Sequence, residues 1–164
     1  MDHPEIANRW PGHCFGCSPA NPHGLRLRFW RTEQGCYTKY TVPEHLCGFD
    51  RVAHGGIIAT LLDEVSAWTV IACLGRLGVT REISIRYLRP VPTGTEVHVE
   101  GQVVSHDDRV AVVHAQITLP GHPVAEVLAE STSTWALPKL SNIARMAGLD
   151  EPALREYLEA MGRS

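Results

Sequence analysis

The chain has 164 residues, a length that suits one domain with a sizeable buried core. Hydrophobic residues make up 44% and charged residues 20% of the sequence, as in ordinary globular proteins. The formal net charge of -3 argues against a nucleic-acid-binding protein, because such domains are usually basic. The five cysteines are irregularly spaced and the first residues are polar, so we expect a cytoplasmic protein with reduced thiols.

The first half of the chain is predicted to hold two strands and then one long helix. Residues 11–24 are rich in Gly, Pro and Asn, which is typical of a loop. The alternating pattern of residues 25–30 predicts a strand, and residues 36–42 are its expected hairpin partner. A connecting loop over residues 43–53 then leads into an apolar stretch, Gly55–Leu74, which predicts a helix ended by the glycines that follow.

The predicted helix is apolar enough to be considered as a membrane span. It also carries Asp63 and Glu64 near its middle, and two adjacent acids are expensive in lipid. A helix that is apolar almost all round is otherwise covered by the rest of a soluble fold. We therefore expect a core helix and no contact with a membrane.

After residue 78 the pattern changes to the period of two that is typical of strands. Four strands, separated by turns, are predicted over residues 82–88, 95–104, 110–119 and 124–137. A meander of strands with one long helix on its face is an α+β arrangement. Residues 141–161 then predict two short amphipathic helices, which we expect to dock on the sheet or on a second subunit.

The segment from His54 to Glu64 is the part of the chain that most directly indicates chemistry. Gly55 and Gly56 allow the backbone to approach a ligand closely, and the first N–H groups of a helix attract negative charge. Asp63 lies inside the apolar helix, where an acid is costly to bury and needs a partner or a task. Together these features favour an oxyanion-binding turn with a carboxylate near it, which suits attack on a carbonyl.

Simpler interpretations of the same residues stay open. Asp63 can be a buried acid satisfied by a nearby hydroxyl, such as that of Thr60 or Ser66. His54 can cap the helix or pack the turn rather than touch a ligand. Glu64 follows about 100° further around the helix and is the alternative candidate for the acid.

The pair Cys14-x-x-Cys17, preceded by His13, raises the question of a metal site. A structural zinc ion usually takes four ligands, often from two such pairs. Neither Cys36 nor Cys47 belongs to a second pair of this spacing, so we expect no metal.

The chain resembles the hotdog-fold acyl-CoA thioesterases, most closely the PaaI-like and 4-hydroxybenzoyl-CoA thioesterase group. The resemblance rests on the His-Gly-Gly turn at residues 54–56, the acid nine positions after the histidine, and the strand that ends Tyr87-Leu88-Arg89-Pro90. It implies a hotdog fold, in which a curved antiparallel sheet of about six strands wraps one long central helix. We expect a leader at residues 1–24, a single hotdog domain at 25–138 and C-terminal amphipathic helices at 139–164.

The resemblance also implies hydrolysis of acyl-CoA thioesters at sites between the subunits of a homodimer or homotetramer. Asp63 matches the position of the family's catalytic carboxylate, acting as general base or as nucleophile. The amides of Gly55 and Gly56 from the partner subunit then form the oxyanion hole, and His54 holds the turn or donates a hydrogen bond near the thioester. Coenzyme A is part of the substrate, so no separate cofactor is expected.

Five further residues are candidates for substrate binding. Arg89 and Arg109 lie where related enzymes contact the CoA phosphates or adenosine, and a guanidinium suits phosphate. Thr80 and Arg81 open the strand that is expected to border the pantetheine channel, and Trp68 is expected to line the acyl pocket. The alternative function is a non-catalytic hotdog protein that binds acyl-CoA or an acyl carrier protein.

Overall fold

The fold is built on one antiparallel sheet and one long helix. The computed structural model describes residues 3–121 and 126–162. A single 3-10 turn, Glu44–Leu46, precedes the third strand. In chain order the strands and helices are β1 Trp30–Arg31, β2 Gly35–Thr41, β3 Cys47–Phe49, β4 Val52–Ala53, α1 Gly55–Leu74, β5 Val79–Tyr87, β6 Glu96–His106, β7 Val110–Leu119, β8 Glu126–Ala136, α2 Leu140–Ala147 and α3 Glu151–Gly162.

The main sheet has six strands in the order β1-β2-β6-β7-β8-β5, and every neighbouring pair is antiparallel. Strands β6, β7 and β8 form a meander as predicted, but β5, which was expected to start that meander beside β6, pairs with β8 instead and is an edge of the sheet. Strands β3 and β4 form a separate two-stranded sheet just before α1. The six-stranded sheet, the long helix and the two C-terminal helices confirm the expected hotdog fold.

Helix α1 has the bounds that the sequence predicts. It begins after His54, whose side chain accepts a hydrogen bond from the Gly56 N–H and so satisfies one of the free donors of the first turn. It ends at Gly75, which has a left-handed φ of 61° and donates its N–H to the Ile71 carbonyl. Glycine adopts this conformation without the steric cost that a Cβ would add.

Helix α1 is the core of the fold, although its length and composition would also allow it to cross a membrane. It packs against β2, β6, β7 and β8. It approaches the sheet closely at Gly101 of β6, where a Cβ would lie 2.5 Å from Thr69 Oγ1. The side chains of α1 that are buried are Ile58, Leu61, Leu62, Val65, Ser66, Trp68, Thr69 and Val70. The expectation of a core helix is therefore confirmed.

The strand predicted over residues 25–30 is wrong except at its last residue, where β1 begins. Burial does alternate as predicted, with the apolar side chains inside and the arginines outside. However, the N–H groups of Leu25 and Leu27 donate to the carbonyls of Phe15 and Gly16, at 2.8 and 3.0 Å. The segment therefore pairs with the leader loop instead of extending the hairpin with β2.

The other differences from the predicted elements are smaller. The loop at residues 43–53 contains the short β3–β4 hairpin, which no pattern in the sequence revealed. Strand β5 starts at Val79, three residues earlier than predicted. Residues 122–125, which include the start of the predicted last strand, lie outside the described residues.

The C-terminal helix α3 packs against the leader and against α1. Leu154, Tyr157 and Met161 of α3 are buried in the same apolar core as the central helix. The Tyr157 ring meets the Trp10 ring edge-on, with 5.4 Å between centroids. Arg31 also donates to the Met161 carbonyl at 2.9 Å, so α3 is held by both apolar and polar contacts.

We predict that Gly101→Ala destabilises the protein by about 1–3 kcal/mol, the usual cost of overpacking a core. The added methyl would lie 2.5 Å from Thr69 Oγ1 and 3.2 Å from the Val65 carbonyl oxygen, so α1 would have to move off the sheet. Urea unfolding measures the change. The control is Gly48→Ala, whose Cβ would have its nearest neighbour at 3.4 Å and should change the free energy of unfolding by less than about 0.5 kcal/mol. Equal losses in the two variants would contradict this account.

Candidate functional site

Two cavities lie at opposite ends of strand β5. The glycine-turn cavity has a volume of about 660 Å³ and is lined by His54, Gly55 and the residues that end β5. The carboxylate cavity has a volume of about 320 Å³ and is lined by Asp63, Glu64 and the residues that begin β5. Since a strand rises about 3.3 Å per residue, the nine residues of β5 span roughly 26 Å from one end of the strand to the other.

The glycine-turn cavity contains the start of α1. His54 Nδ1 accepts the Gly56 N–H at 2.9 Å, and the His54 carbonyl accepts the N–H groups of Ile57 and Ile58. No acceptor for the Gly55 N–H is found in the part of the chain that the structure describes. Gly55 therefore offers the free amide of this turn, whereas His54 acts as the helix cap.

Tyr87 closes the glycine-turn cavity from the end of β5. Its hydroxyl donates to the Gly55 carbonyl at 3.1 Å, and its ring packs over the glycine. In the sequence Tyr87 contributed only to the motif Tyr87-Leu88-Arg89-Pro90, and no role was predicted for it. Arg89 lines the same cavity, where its guanidinium forms an ion pair with Glu126 at 2.7 Å.

The carboxylate cavity contains a half-buried Asp63. Its Oδ1 accepts a hydrogen bond from Thr80 Oγ1 at 2.8 Å. Burial raises the pKa of Asp63, and the bond from Thr80 offsets part of that rise. The hydroxyls of Thr60 and Ser66 donate instead to carbonyls one turn earlier in α1, so the partner of Asp63 is on β5 and not on its own helix.

Glu64 also lines the carboxylate cavity but is turned towards the leader. Its Oε1 lies 3.2 Å from the sulfur of Cys14, in a thiol–carboxylate hydrogen bond. Burial is the main cause that raises the pKa of Glu64 to about 8. The two adjacent acids thus have different partners, one on β5 and one on the leader.

Aromatic side chains form much of the wall of the carboxylate cavity. Trp68, predicted to line an acyl pocket, is buried there and stacks on Phe29 with 4.6 Å between ring centroids. The other aromatic residues of the wall come from the leader, from β8 and from α3: Trp10, Trp135 and Tyr157. An apolar, aromatic wall beside a carboxylate suits a substrate with an apolar group next to a reactive carbonyl.

The three arginines predicted to bind substrate do not lie together within one chain. The Arg89 N–H bonds to the Leu128 carbonyl near the start of β8, whereas the Arg109 carbonyl accepts the Leu137 N–H just after β8 ends. Arg109 therefore lies at the carboxylate-cavity end of the sheet and Arg89 at the glycine-turn end. Arg81 is exposed on β5 and has no ion pair among the described residues.

Residues 51–125 match the sequence model of the thioesterase superfamily. This match confirms the resemblance to the hotdog-fold thioesterases. A solved protein from the thioesterase superfamily is 27% identical, with a TM-score of 0.64 over 74% of this chain and 90% of that one. A hypothetical thioesterase from Streptococcus pneumoniae, solved with coenzyme A, is 25% identical, with a TM-score of 0.61 over 68% of this chain and 85% of that one.

The Escherichia coli PaaI protein from the phenylacetic acid degradation operon shares the hotdog fold. It is 19% identical, with a TM-score of 0.60 over 68% of this chain and 83% of that one. None of the curated proteins matches the sequence.

Within one hotdog chain, the two parts of the predicted thioesterase site, the Gly55 amide and the Asp63 carboxylate, do not meet. Gly55 and Asp63 lie on the same helix about 12 Å apart along its axis, at about 1.5 Å per residue. Thr80, predicted to border the substrate channel, bonds Asp63 directly. Thr80 and Tyr87 contact residues of α1 that lie 17 and 32 positions earlier in the chain, so no local spacing in the sequence could have revealed their partners.

Proposed function

We propose that the protein hydrolyses acyl-CoA thioesters at a site shared by two copies of the chain. One observation carries the proposal: the free Gly55 N–H and the Asp63 carboxylate lie at opposite ends of β5, an edge strand of the sheet. An edge strand can pair with the same strand of a second copy. If that pairing is antiparallel, the Tyr87 end of one copy meets the Thr80 end of the other, and the two kinds of cavity come together.

The surface of β5 supports this pairing. Val79 is 36% exposed and Tyr87 is 54% exposed, at the two ends of the strand. Leu88, just beyond the strand, is 43% exposed. Antiparallel pairing of two β5 strands about their middle would cover these apolar side chains in both copies. This is the self-complementary arrangement of a two-fold dimer.

The shared site contains the groups that thioester hydrolysis needs. The Gly55 N–H, at the positive end of the α1 dipole, stabilises the negative charge that develops on the thioester oxygen. As general base, Asp63 of the other copy removes a proton from water, whose oxygen attacks the carbonyl carbon; the carbon–sulfur bond then breaks and coenzyme A leaves as the thiol. Burial raises the pKa of Asp63, which makes it a better proton acceptor than an exposed carboxylate. Direct attack by Asp63, with an anhydride intermediate, is the other route to the same products.

The substrate class follows from the cavities and from the relatives. The Streptococcus pneumoniae relative was solved with coenzyme A, which supports an acyl-CoA ester here. The carboxylate cavity, about 320 Å³ with aromatic walls, suits a medium-sized or aromatic acyl group. In the proposed dimer Arg109 of one copy and Arg89 of the other lie at the same end of the assembly, where both can bind the phosphates of coenzyme A. Arg81 projects from the paired strand.

A non-catalytic acyl-CoA-binding protein is the alternative, and the Thr80–Asp63 hydrogen bond is the observation that favours it. A carboxylate held by a hydroxyl is partly satisfied without a substrate or water. Tight binding of acyl-CoA esters with no release of free coenzyme A would support this alternative and exclude hydrolysis.

We predict that Asp63→Asn lowers kcat by about 10²–10⁴-fold, the usual contribution of a general base. The assay follows release of the coenzyme A thiol from a panel of acyl-CoA esters, with circular dichroism to verify the fold. The control is Glu33→Gln, an exposed carboxylate in the β1–β2 turn, which should keep full activity. An unchanged rate in Asp63→Asn would refute the assignment, and a loss found only in Glu64→Gln would move the role to Glu64.

We predict that Gly55→Pro lowers kcat by about 10²–10³-fold, because proline lacks the amide hydrogen that stabilises the oxyanion. Gly55 is the first residue of α1, where proline is favoured, and His54 has the extended ψ of 137° that a following proline requires. The matched control is Gly55→Ala, which keeps the N–H and places its Cβ an ordinary 3.7 Å from Tyr87. Equal activity of the proline and alanine variants would exclude this amide as the oxyanion donor.

We predict that Asp63→Asn and Gly55→Pro chains, each inactive alone, regain activity when they are refolded together. In a random mixture of Asp63→Asn and Gly55→Pro chains, half of the dimers are mixed, and each mixed dimer has one intact site. About a quarter of the wild-type activity should therefore return, given two-fold symmetric sites. Each variant refolded alone is the control. A mixture with no more activity than its parents would show that the site is not shared between copies.

A further inference from the structure

Three side chains that can bind a metal ion lie together in the wall of the carboxylate cavity. The sulfurs of Cys14 and Cys17 and one carboxylate oxygen of Glu64 all lie within 4.8 Å of one another. Ligands of a tetrahedral zinc ion are separated by about 3.5–3.8 Å, given zinc–sulfur and zinc–oxygen bonds of about 2.3 and 2.0 Å. The Cys14 Sγ to Glu64 Oε1 distance of 3.2 Å is already close to that spacing.

The loop that carries the two cysteines is held in place by hydrogen bonds. The chain runs close to Glu64 here, with the Cys14 sulfur 3.2 Å from Glu64 Oε1. Asn8 donates to the Cys17 carbonyl at 2.6 Å, and the Ser18 N–H donates to the Cys14 carbonyl at 3.1 Å. A metal ion would therefore bind to ligands that are largely ordered beforehand.

Gly16 allows the leader to reach α1 at this point. A Cβ at residue 16 would overlap the side-chain carboxyl group of Glu64, so any other residue would displace that carboxyl group from its present position. The glycine is thus required by the close approach of the Cys14–Cys17 loop to the Glu64 carboxylate. The same approach is what places an oxygen ligand beside the two sulfurs.

The cluster lacks a positive partner within the described residues. No Lys, Arg or His in that part of the chain forms an ion pair with Glu64. Its neighbours are thiols, which become negative when they ionise. A bound divalent cation would balance the charge of a carboxylate and two thiolates in this largely buried position.

We propose that Cys14, Cys17 and Glu64 bind one Zn²⁺ ion, which links the leader to α1. Thiolate and carboxylate ligands together suit this ion. All three residues line the carboxylate cavity, so the fourth coordination position opens to that cavity. His13, which the sequence places beside the pair, is exposed and outside the cluster. The expectation of no metal rested on the missing second cysteine pair, and Glu64, 50 positions from Cys14, supplies the third ligand instead.

The test is metal binding by the purified full-length chain, and it does not depend on thioesterase activity. The protein is kept reduced, stripped with a chelator and titrated with Co²⁺ and then with Zn²⁺. We expect one Co²⁺ per chain, with a thiolate-to-cobalt absorption band in the near ultraviolet that one equivalent of Zn²⁺ removes. Bound Zn²⁺ should also raise Tm and slow the alkylation of two thiols.

Variants identify the ligands. The double variant Cys14→Ser/Cys17→Ser should lose the absorption band, and Glu64→Gln should weaken Zn²⁺ binding at least tenfold. The control is Cys73→Ser, which removes an exposed cysteine of α1 outside the cluster and should bind one ion as before.

The wild-type chain alone can overturn the proposal, so a variant that fails to fold does not prevent a decision. A reduced wild-type protein that shows no cobalt band and no change in Tm with Zn²⁺ would refute the site. Formation of a Cys14–Cys17 disulfide on mild oxidation, in a protein that binds no ion when reduced, would identify a redox pair instead. A band that persists in the double cysteine variant would place the ion elsewhere.

Discussion

The close packing of α1 on the sheet is the contact on which the rest of the structure depends. Gly101 leaves room for the helix at Thr69, and the sheet covers the apolar side chains that would otherwise be exposed. Side chains near the two ends of β5 also reach the helix, Tyr87 at its first residue and Thr80 at its ninth. The positions of the glycine turn and of Asp63 follow from this one packing arrangement.

The same packing separates the two groups that thioester chemistry requires. A straight helix holds Gly55 and Asp63 about 12 Å apart, too far for both to act on one carbonyl. The edge strand β5 offers a way to bring them together. If β5 of a second copy pairs with it in the antiparallel direction, the Tyr87 end of one copy lies beside the Thr80 end of the other. In the proposed enzyme the dimer is therefore part of the active site, and the monomer has two incomplete halves.

The leader and the C-terminal helices give this chain its particular carboxylate cavity. Trp10 and Tyr157 come from segments outside the sheet and α1, yet both line the cavity beside Trp68. The leader also brings two cysteines to Glu64, the neighbour of the proposed catalytic acid. A metal ion bound there would hold the leader against α1 and so fix one wall of the proposed acyl pocket.

Local patterns in the sequence were enough to predict α1, β7 and the presence of the other later strands, though not the pairing of β5 with β8, because burial of one face imposes a period that neighbouring residues reveal. They also indicated Asp63 and the glycine turn, since an acid in an apolar helix and glycines at its start are unusual choices. The tertiary structure alone decided the pairing of residues 25–30 with the leader, the contacts of Thr80 and Tyr87 with α1, and the meeting of Glu64 with the cysteines. These contacts join residues far apart in the chain, and such partners are selected by the packing of whole elements rather than by the pattern within any one of them.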